Sequence, residues 1–418
     1  ELWYKAPITP MDDLHGNLRG IIEHMDDIQN LGIDVLYMTP IFQSNSCHKY
    51  DTTDYYQIDP SFGTTEDLKE LVQKAHERGM KVVLDAVYNH TGREFFAFAD
   101  ILENGEKSKY RDWYFIDGFP LKSEWGEIPN FKCFGYYGGM PKLNLKNPEV
   151  EKYITDVACY WIKECDIDGW RLDVGDEISH FFWKNFRKAV KAVKKDMLII
   201  GEIWHYAGDF LEGDEWDTVM NYPFYLNLID LLADEKITVS QFVQNLGYLK
   251  GRLHKNCYPL MWNLIDSHDT ARFLHLCNDN KKKQHLAAAF QLLLPGMPMI
   301  YYGDEYAMPG ANDPDCRRGM YWDEEYQDKE MYEWYKRLIQ VRKSHACIVE
   351  GELAGSVTED EEGTIVLIRK NGEETIAMIF NCSSSAKKFN EYTQKYNLLT
   401  ENTFDGNVEG FDAAVIVL

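Results

Sequence analysis

As far as Ser344 the chain repeats one unit: a short apolar run, a polar turn, then an amphipathic stretch of helical period. Leu18, Ile21, Ile22, Met25 and Ile28 follow helical spacing, and Gly32 closes that helix ahead of the strand "DVLYMTPIF". Thr64 and Asp67 suit a capping box, Leu68, Leu71, Val72 and Ala75 form the buried stripe, and Gly79 ends the helix before "KVVLDAVYNH". Strands that alternate with helices in this way run parallel, with the crossover helices packed outside them. Strands are expected near 34–42, 81–90, 169–174, 198–204, 217–224, 259–268 and 297–303. A closed (β/α)8 barrel takes eight, one more than this count. The first barrel strand is therefore expected upstream of Glu1, or as a short irregular strand in "ELWYKAP".

One connection breaks the rhythm. Between Asn89 and a helix starting near Asn147 lie residues rich in Gly, Pro and aromatics, too many for a barrel loop. Such an insertion, about 91–146, is expected to form a lid or small subdomain beside the active site. After Ser344 the period changes to two, and "TIVLIRK-NG-EETIAMIF" carries a hairpin signal with Asn371-Gly372 at the turn. The expected organisation is a catalytic barrel over 1–344 and a C-terminal antiparallel β-sandwich over 345–418.

A hydrophobic content of 45% is enough for a full core, so disorder is excluded. The net charge of −24 argues against nucleic acid or an anionic membrane as a partner, since both require a positive footprint. Nine cysteines without a CxxC pair read as reduced thiols of a cytoplasmic protein. No apolar run reaches membrane-spanning length, and no signal peptide is visible.

The chemistry gathers at the C-terminal ends of the expected strands, the face that carries the active site in (β/α)8 barrels. Asp85, Asn89 and His90 close one strand, Arg171 and Asp173 the next, Glu202 and His205 a third, His268 and Asp269 a fourth. No His-x-His or bridging carboxylate spacing suggests a metal centre. Glycoside hydrolysis instead needs one ionised and one protonated carboxyl flanking the bond. Alternation points Arg171 and Asp173 the same way, so the cation is expected to hold Asp173 ionised as a nucleophile. Glu202, in "LIIGEIW" beside Trp204, has the low-polarity setting of a general acid.

"DAVYNH", "GWRLDVGDE", "GEIWH" and "LIDSHD" resemble, in order and spacing, the four signature regions of the α-amylase family, glycoside hydrolase family 13. The resemblance runs through essentially all of the chain, including the insertion (the family's domain B) and the C-terminal domain C. "MPKLN", "HKYDTTDY" and "DPDCRRGMYWD" resemble one subgroup: neopullulanase, cyclomaltodextrinase and maltogenic amylase. The resemblance implies Asp173 as nucleophile, Glu202 as acid/base and Asp269 as a third carboxylate gripping the distorted sugar. It implies that Arg171, His90 and His268 contact the sugar in subsite −1 or position the nucleophile, and that Tyr50 stacks under it. Asp313 and Arg317 fall near subsite −2, and Trp204, His205 and Glu177 toward the aglycone. A retaining mechanism with carboxyls about 5–5.5 Å apart is the expectation, acting on maltodextrins, cyclodextrins, pullulan or starch, with transfer to a sugar acceptor open. An α-glucosidase or glucanotransferase of the same family, or an inactive relative serving as a binding or chaperone module, is the alternative.

The chain departs from its relatives at two places. "HGNL" stands where they carry a glycine-glycine-aspartate that helps bind calcium, so no cofactor is expected and a family-type calcium site is doubtful. "VGDE" replaces the common "VANE", which adds Asp176 near the acceptor side. The subgroup's N-terminal β domain has no counterpart in the sequence, which leaves monomer and homodimer both open.

Overall fold

The computed structural model describes residues 16–122, 128–254 and 256–418. All seven expected strands form, each shorter than its apolar run: β1 (Val35–Met38), β2 (Lys81–Ala86), β3 (Gly169–Leu172), β4 (Leu198–Gly201), β5 (Thr218–Val219), β6 (Trp262–Asn263) and β7 (Met297–Pro298). The first five make one parallel sheet in sequence order. A parallel bridge between Met220 and Trp262 carries the arc on to β6, which pairs with β7. The result is a barrel of consecutive strands in which β1 and β7 face each other across an apolar cavity of about 380 Å³, lined by Val35 to Met38 and Met297 to Tyr302. The suggestion that "ELWYKAP" supplies a strand lies outside the described residues.

The outer helices follow the sequence pattern, with one break. Helix α3 (Thr65–Glu77) has the full capping box, Thr64 and Asp67 each accepting from the other's backbone N–H. Helix α4 (Pro148–Cys165) is capped by Asn147, which accepts from Glu149 N. The helix expected through Leu18 to Ile28 instead divides at His24 into α1 (Leu18–Glu23) and α2 (Met25–Leu31). The His24 ring stacks on Trp322 with centroids 3.5 Å apart, a contact from the far end of the chain that periodicity cannot reveal. Gly32 then ends α2 at φ 101°, the left-handed stop its position implied.

Beyond the barrel, six strands form an antiparallel sheet: β8 (Glu352–Glu359), β9 (Thr364–Asn371), β10 (Glu374–Asn381), β11 (Tyr396–Asn397), β12 (Asn402–Thr403) and β13 (Asp412–Val417), ordered β8-β9-β10-β13-β11-β12. The β9–β10 hairpin is present, but its register moves the turn by one residue. Asn371 pairs with Glu374, so Gly372 and Glu373 make the two-residue loop, and Gly372 at φ 60° supplies the primed-turn geometry. Phe380 of this sheet stacks on Phe290 of the barrel helix Lys281–Leu293 at 4.3 Å, joining the two parts in one core.

Trp161, Trp170, Trp183 and Trp216 are the largest fully buried side chains and fill the space between strands and helices. Gly201, the last residue of β4, lets Trp216 pack flat on the backbone: a Cβ there would meet the indole at 2.2 Å. We expect Gly201→Ala to cost about 2–3 kcal/mol through overpacking, read as a lowered thermal midpoint. An unchanged midpoint would mean that the indole has room to withdraw.

Candidate active site

Parallel register brings the polar strand ends together. Asp85 lies opposite Arg171 in the β2–β3 ladder, and both point into the barrel. Asp173 and Glu202 follow immediately on β3 and β4, anchored by Asp173 N–H donating to Ala86 O and Glu202 N–H to Leu172 O. Between the two lies Val174 at φ 47°, a left-handed conformation that a β-branched residue rarely adopts. The Val174 N–H donates to Glu202 Oε2 at 2.9 Å, so the backbone of this strained turn helps to orient a carboxyl.

At the centre is Arg171, without solvent exposure. Its Nη1 contacts Asp85 Oδ2 at 3.0 Å and Asp173 Oδ1 at 3.1 Å, and its Nη2 reaches Glu202 Oε2 at 3.0 Å. Asp85 is held further by the hydroxyls of Tyr37 at 2.7 Å and Tyr50 at 3.2 Å. Asp173 keeps one oxygen, Oδ2, buried without a partner among the described residues, and so chemically available.

Two expectations need correction. Arg171 does not serve Asp173 alone: it is divided among three carboxyls, too few positive charges to hold them all ionised. Burial, then the charge of Glu202, pushes Asp173 well above the usual carboxylate range against the pull of Arg171. Burial likewise pushes Asp85 up. The cluster therefore holds protons collectively, as close carboxyls must. Glu202, moreover, is not in an apolar setting. Beside its ion pair with Arg171, it accepts from Val174 N–H at one oxygen and from Trp204 Nε1 at the other, 3.1 Å away, and these donors orient both oxygens.

The remaining expected residues line the same mouth. Asp269 lies 3.1 Å from His268 Nε2 and 3.8 Å from Arg317 Nη2, and Arg317 Nε bonds Asp313 at 2.8 Å. Tyr50 lies parallel to His268, with its hydroxyl 2.6 Å from Nε2. Burial lowers His268 well below the usual imidazole range and takes His90 down to about 4, so both rings are neutral. His90 stacks on Phe134 of the insertion and donates from Nε2 to Tyr50 O at 3.0 Å. Trp204, 40% exposed, lies flat on Tyr222 at 3.8 Å. His205 and Glu177 stand further out: His205 pairs with Asp176 at 3.0 Å, and Glu177 pairs with Lys142 at 2.7 Å. Tyr37 and Lys142 were not among the expected site residues, and Asp85 was expected on this face without a role. Asp85 was visible as a lone acid in an apolar strand, but its pairing with Arg171 depends on register.

Three carboxyls around one guanidinium at the C-terminal mouth of a parallel barrel, with a fourth across it, define a site for general acid and nucleophilic chemistry. The family profile described as Alpha amylase, catalytic domain, matches residues 9–325, and the chain belongs to the α-amylase family. It is 47% identical over 384 residues to the cyclomaltodextrinase of Geobacillus thermopakistaniensis (strain MAS1), covering 92% of this chain and 65% of that protein. It is 43% identical to neopullulanase 2 of Thermoactinomyces vulgaris, covering 91% of this chain and 65% of the other. A solved cyclomaltodextrinase structure superposes with a TM-score of 0.91 at 39% identity, over 96% of this chain and 71% of that one. The chain thus spans a little under two thirds of these two curated relatives.

Asp269 offers a test of the site's electrostatics. Burial, then the charge of Glu202, moves its carboxyl up to about 6. Between the ordinary aspartate range and that value the folded state holds a proton the unfolded chain has released. Stability contributed by Asp269 is therefore present at low pH and lost as pH rises through that window. Because a third of the side chain reaches solvent, we expect Asp269→Asn to stabilise the fold at pH 7 by about 1–2 kcal/mol. That gain should vanish near pH 4 in denaturant titrations; a gain independent of pH would refute the assignment.

Proposed function

We propose that the chain carries the catalytic machinery of a retaining α-glucan hydrolase that cleaves α-glucosidic bonds in cyclodextrins, pullulan, maltodextrins or starch. One observation carries this reading: a single buried guanidinium holds Asp173 and Glu202 side by side, with one buried oxygen of Asp173 lacking a partner among the described residues. The names and identities of the relatives support the same class of substrate. In this reading residues 1–344 are the catalytic barrel, 91–146 its domain B and 345–418 a domain C β-sandwich.

In the reactive arrangement the cluster's proton sits on Glu202 and Asp173 is ionised: Glu202 gives that proton to the glycosidic oxygen while Asp173 Oδ2 attacks the anomeric carbon. The C1–O bond breaks, the protonated aglycone leaves, and a covalent glycosyl-enzyme remains. Glu202, now ionised, takes a proton from water or an incoming sugar hydroxyl, whose oxygen displaces Asp173 with net retention. Asp269, beside His268 and Arg317, would grip ring hydroxyls of the distorted sugar. Tyr50 would stack beneath it, with His90 and His268 donating or accepting as neutral rings. Asp313 would meet the next sugar on the non-reducing side, and Trp204 would face the aglycone. This chemistry calls on no cofactor. No helix among the described residues is long and apolar enough to cross a membrane, and all nine cysteines are unpaired. Both fit a cytoplasmic enzyme.

Parallel digests of γ-cyclodextrin, pullulan and starch test the proposal, with Glu202→Gln as control. Maltose from the cyclodextrin and panose from pullulan are expected, each reduced about 10²–10⁴-fold in the variant as befits loss of the acid/base. Undiminished products from Glu202→Gln would sink the assignment.

A further inference from the structure

A second buried arginine stands outside the machinery described above. Arg272 has three carboxyls around it, as Arg171 does: Asp266 on the segment leaving β6, and Asp304 and Glu305 in the turn Asp304–Tyr306 beyond β7. None of these four residues is more than 1% exposed. Arg272 Nη1 contacts Asp304 Oδ1 at 3.2 Å, and its guanidinium carbon lies 4.5 and 5.0 Å from the ring centroids of Tyr301 and Tyr302. Two outer helices close the cluster. Gln284 of Lys281–Leu293 donates from Nε2 to Asp304 O at 3.0 Å, and Tyr335 of Lys329–Ser344 is hydrogen-bonded to Gln284. One guanidinium cannot neutralise three acids withdrawn from solvent, so the cluster must hold protons.

Donor and acceptor chemistry locates one of them. Ionised carboxylates only accept, so two carboxyls bond each other only through a proton. The carboxyls of Asp266 and Asp304 lie within hydrogen-bond reach of one another. Asp266 Oδ2 already accepts Phe273 N–H at 2.7 Å, and Asp304 Oδ1 faces Arg272. That leaves Asp266 Oδ1 and Asp304 Oδ2, the two oxygens without another partner among the described residues. Burial, then the charge of Asp266, carries Asp304 well above the usual carboxylate range against the pull of Arg272, which makes it the holder. Glu305 is occupied elsewhere: its Oε2 accepts Gly303 N–H at 2.7 Å, and burial pushes it up to about 7.

We propose that Asp266 and Asp304 share one proton, the O–H of Asp304 donating to Asp266 Oδ1, so that the chain takes up a proton as it folds and that proton clasps the segments beyond β6 and β7 together. The clasp reaches the mouth through the backbone. His268 and Asp269 follow Asp266 by two and three residues. Arg272 donates its N–H to Gly310 O and its Nε to Cys316 O, holding the loop that carries Asp313 and Arg317, and Arg317 Nε returns to His268 O at 3.1 Å. A hydrogen bond that exists only while a proton is bound therefore ties together the two segments that supply Asp269 and Arg317. The unfolded chain releases this proton above the ordinary aspartate range, about 3.9; the folded pair keeps it. The stability it contributes is present in full below that range and is lost steadily as pH rises, until the folded pair itself ionises.

The experiment compares the whole chain with Asp304→Asn, Asp266→Asn and Glu305→Gln. Asparagine at 304 keeps the shape and donates an N–H where the carboxyl gave an O–H, but its folding takes up no proton. In urea titrations between about pH 5 and pH 7, the unfolding constant of the parent should rise relative to that of Asp304→Asn by about ten-fold per pH unit, as one bound proton requires. Infrared difference spectra, parent minus variant, give the second readout. The carbonyl stretch of one un-ionised carboxyl should be lost in Asp304→Asn and kept in Glu305→Gln. It should be lost in Asp266→Asn too, because Asp304 then faces Arg272 without a second acid and ionises. Parallel pH dependences in the parent and Asp304→Asn overturn the proposal. So does a band that survives Asp266→Asn, which marks a lone buried acid rather than a shared proton, or one that disappears in Glu305→Gln. Should Asp304→Asn fail to fold, Asp266→Asn must still lose both the band and the extra pH dependence.

Discussion

A guanidinium without solvent contact, Arg171, paired with three carboxyls from three adjacent strands, is the contact on which the rest of this structure depends. Removing any one carboxyl changes the charge balance for the others, and removing the arginine would leave several buried acids unpaired, among the costliest changes a core can suffer. The barrel strands place these groups, but the placement needs support. Tyr37 and Tyr50 brace Asp85 from β1 and the loop beyond it, and Trp204 braces Glu202 from the loop beyond β4. What looks like a catalytic cluster is also the polar centre of the fold.

That double role explains why the site is built against stability. Asp173 leaves an oxygen without a partner, Val174 sits in a left-handed conformation, and Asp269 is pushed up to about 6 by burial and by Glu202. Each costs folding free energy, and each would serve the proposed reaction: an available nucleophile, an N–H that holds the acid, a carboxyl ready to meet hydroxyls. The surrounding aromatic core offsets the cost. Trp170, Trp183 and Trp216 pack tightly enough behind the strands that even Gly201, the residue before Glu202, has no space for a methyl group.

The insertion bears on the chemistry through contacts of a different kind. It shares an apolar core with the barrel through Phe98, Trp113, Tyr114, Phe131 and Leu143, and at the mouth it adds a bridge at His90, a ring stack from Phe134 and the ammonium of Lys142. The contacts at the mouth are directional. They fix the side-chain orientations of His90 and Glu177 together, and so link two segments at the mouth that share no covalent neighbour.

The sequence by itself determined the alternation of strands and helices, the caps at Thr64 and Asn147, the stop at Gly32, and the carboxylates that close β3 and β4, because all of these rest on local periodicity and local hydrogen bonding. Arg171 and Asp173 were legible as a pair since alternation alone turns both to one face. Only the tertiary structure decided that Asp85 shares that arginine, that the setting of Glu202 is polar, that the first helix breaks where His24 meets Trp322, and that the hairpin turn falls on Gly372 and Glu373. The physical reason is common to all four. Electrostatic and packing energies depend on distance in space, and strand register, which sets those distances, brings Asp85 to Arg171 across 86 residues of chain that no local pattern can count.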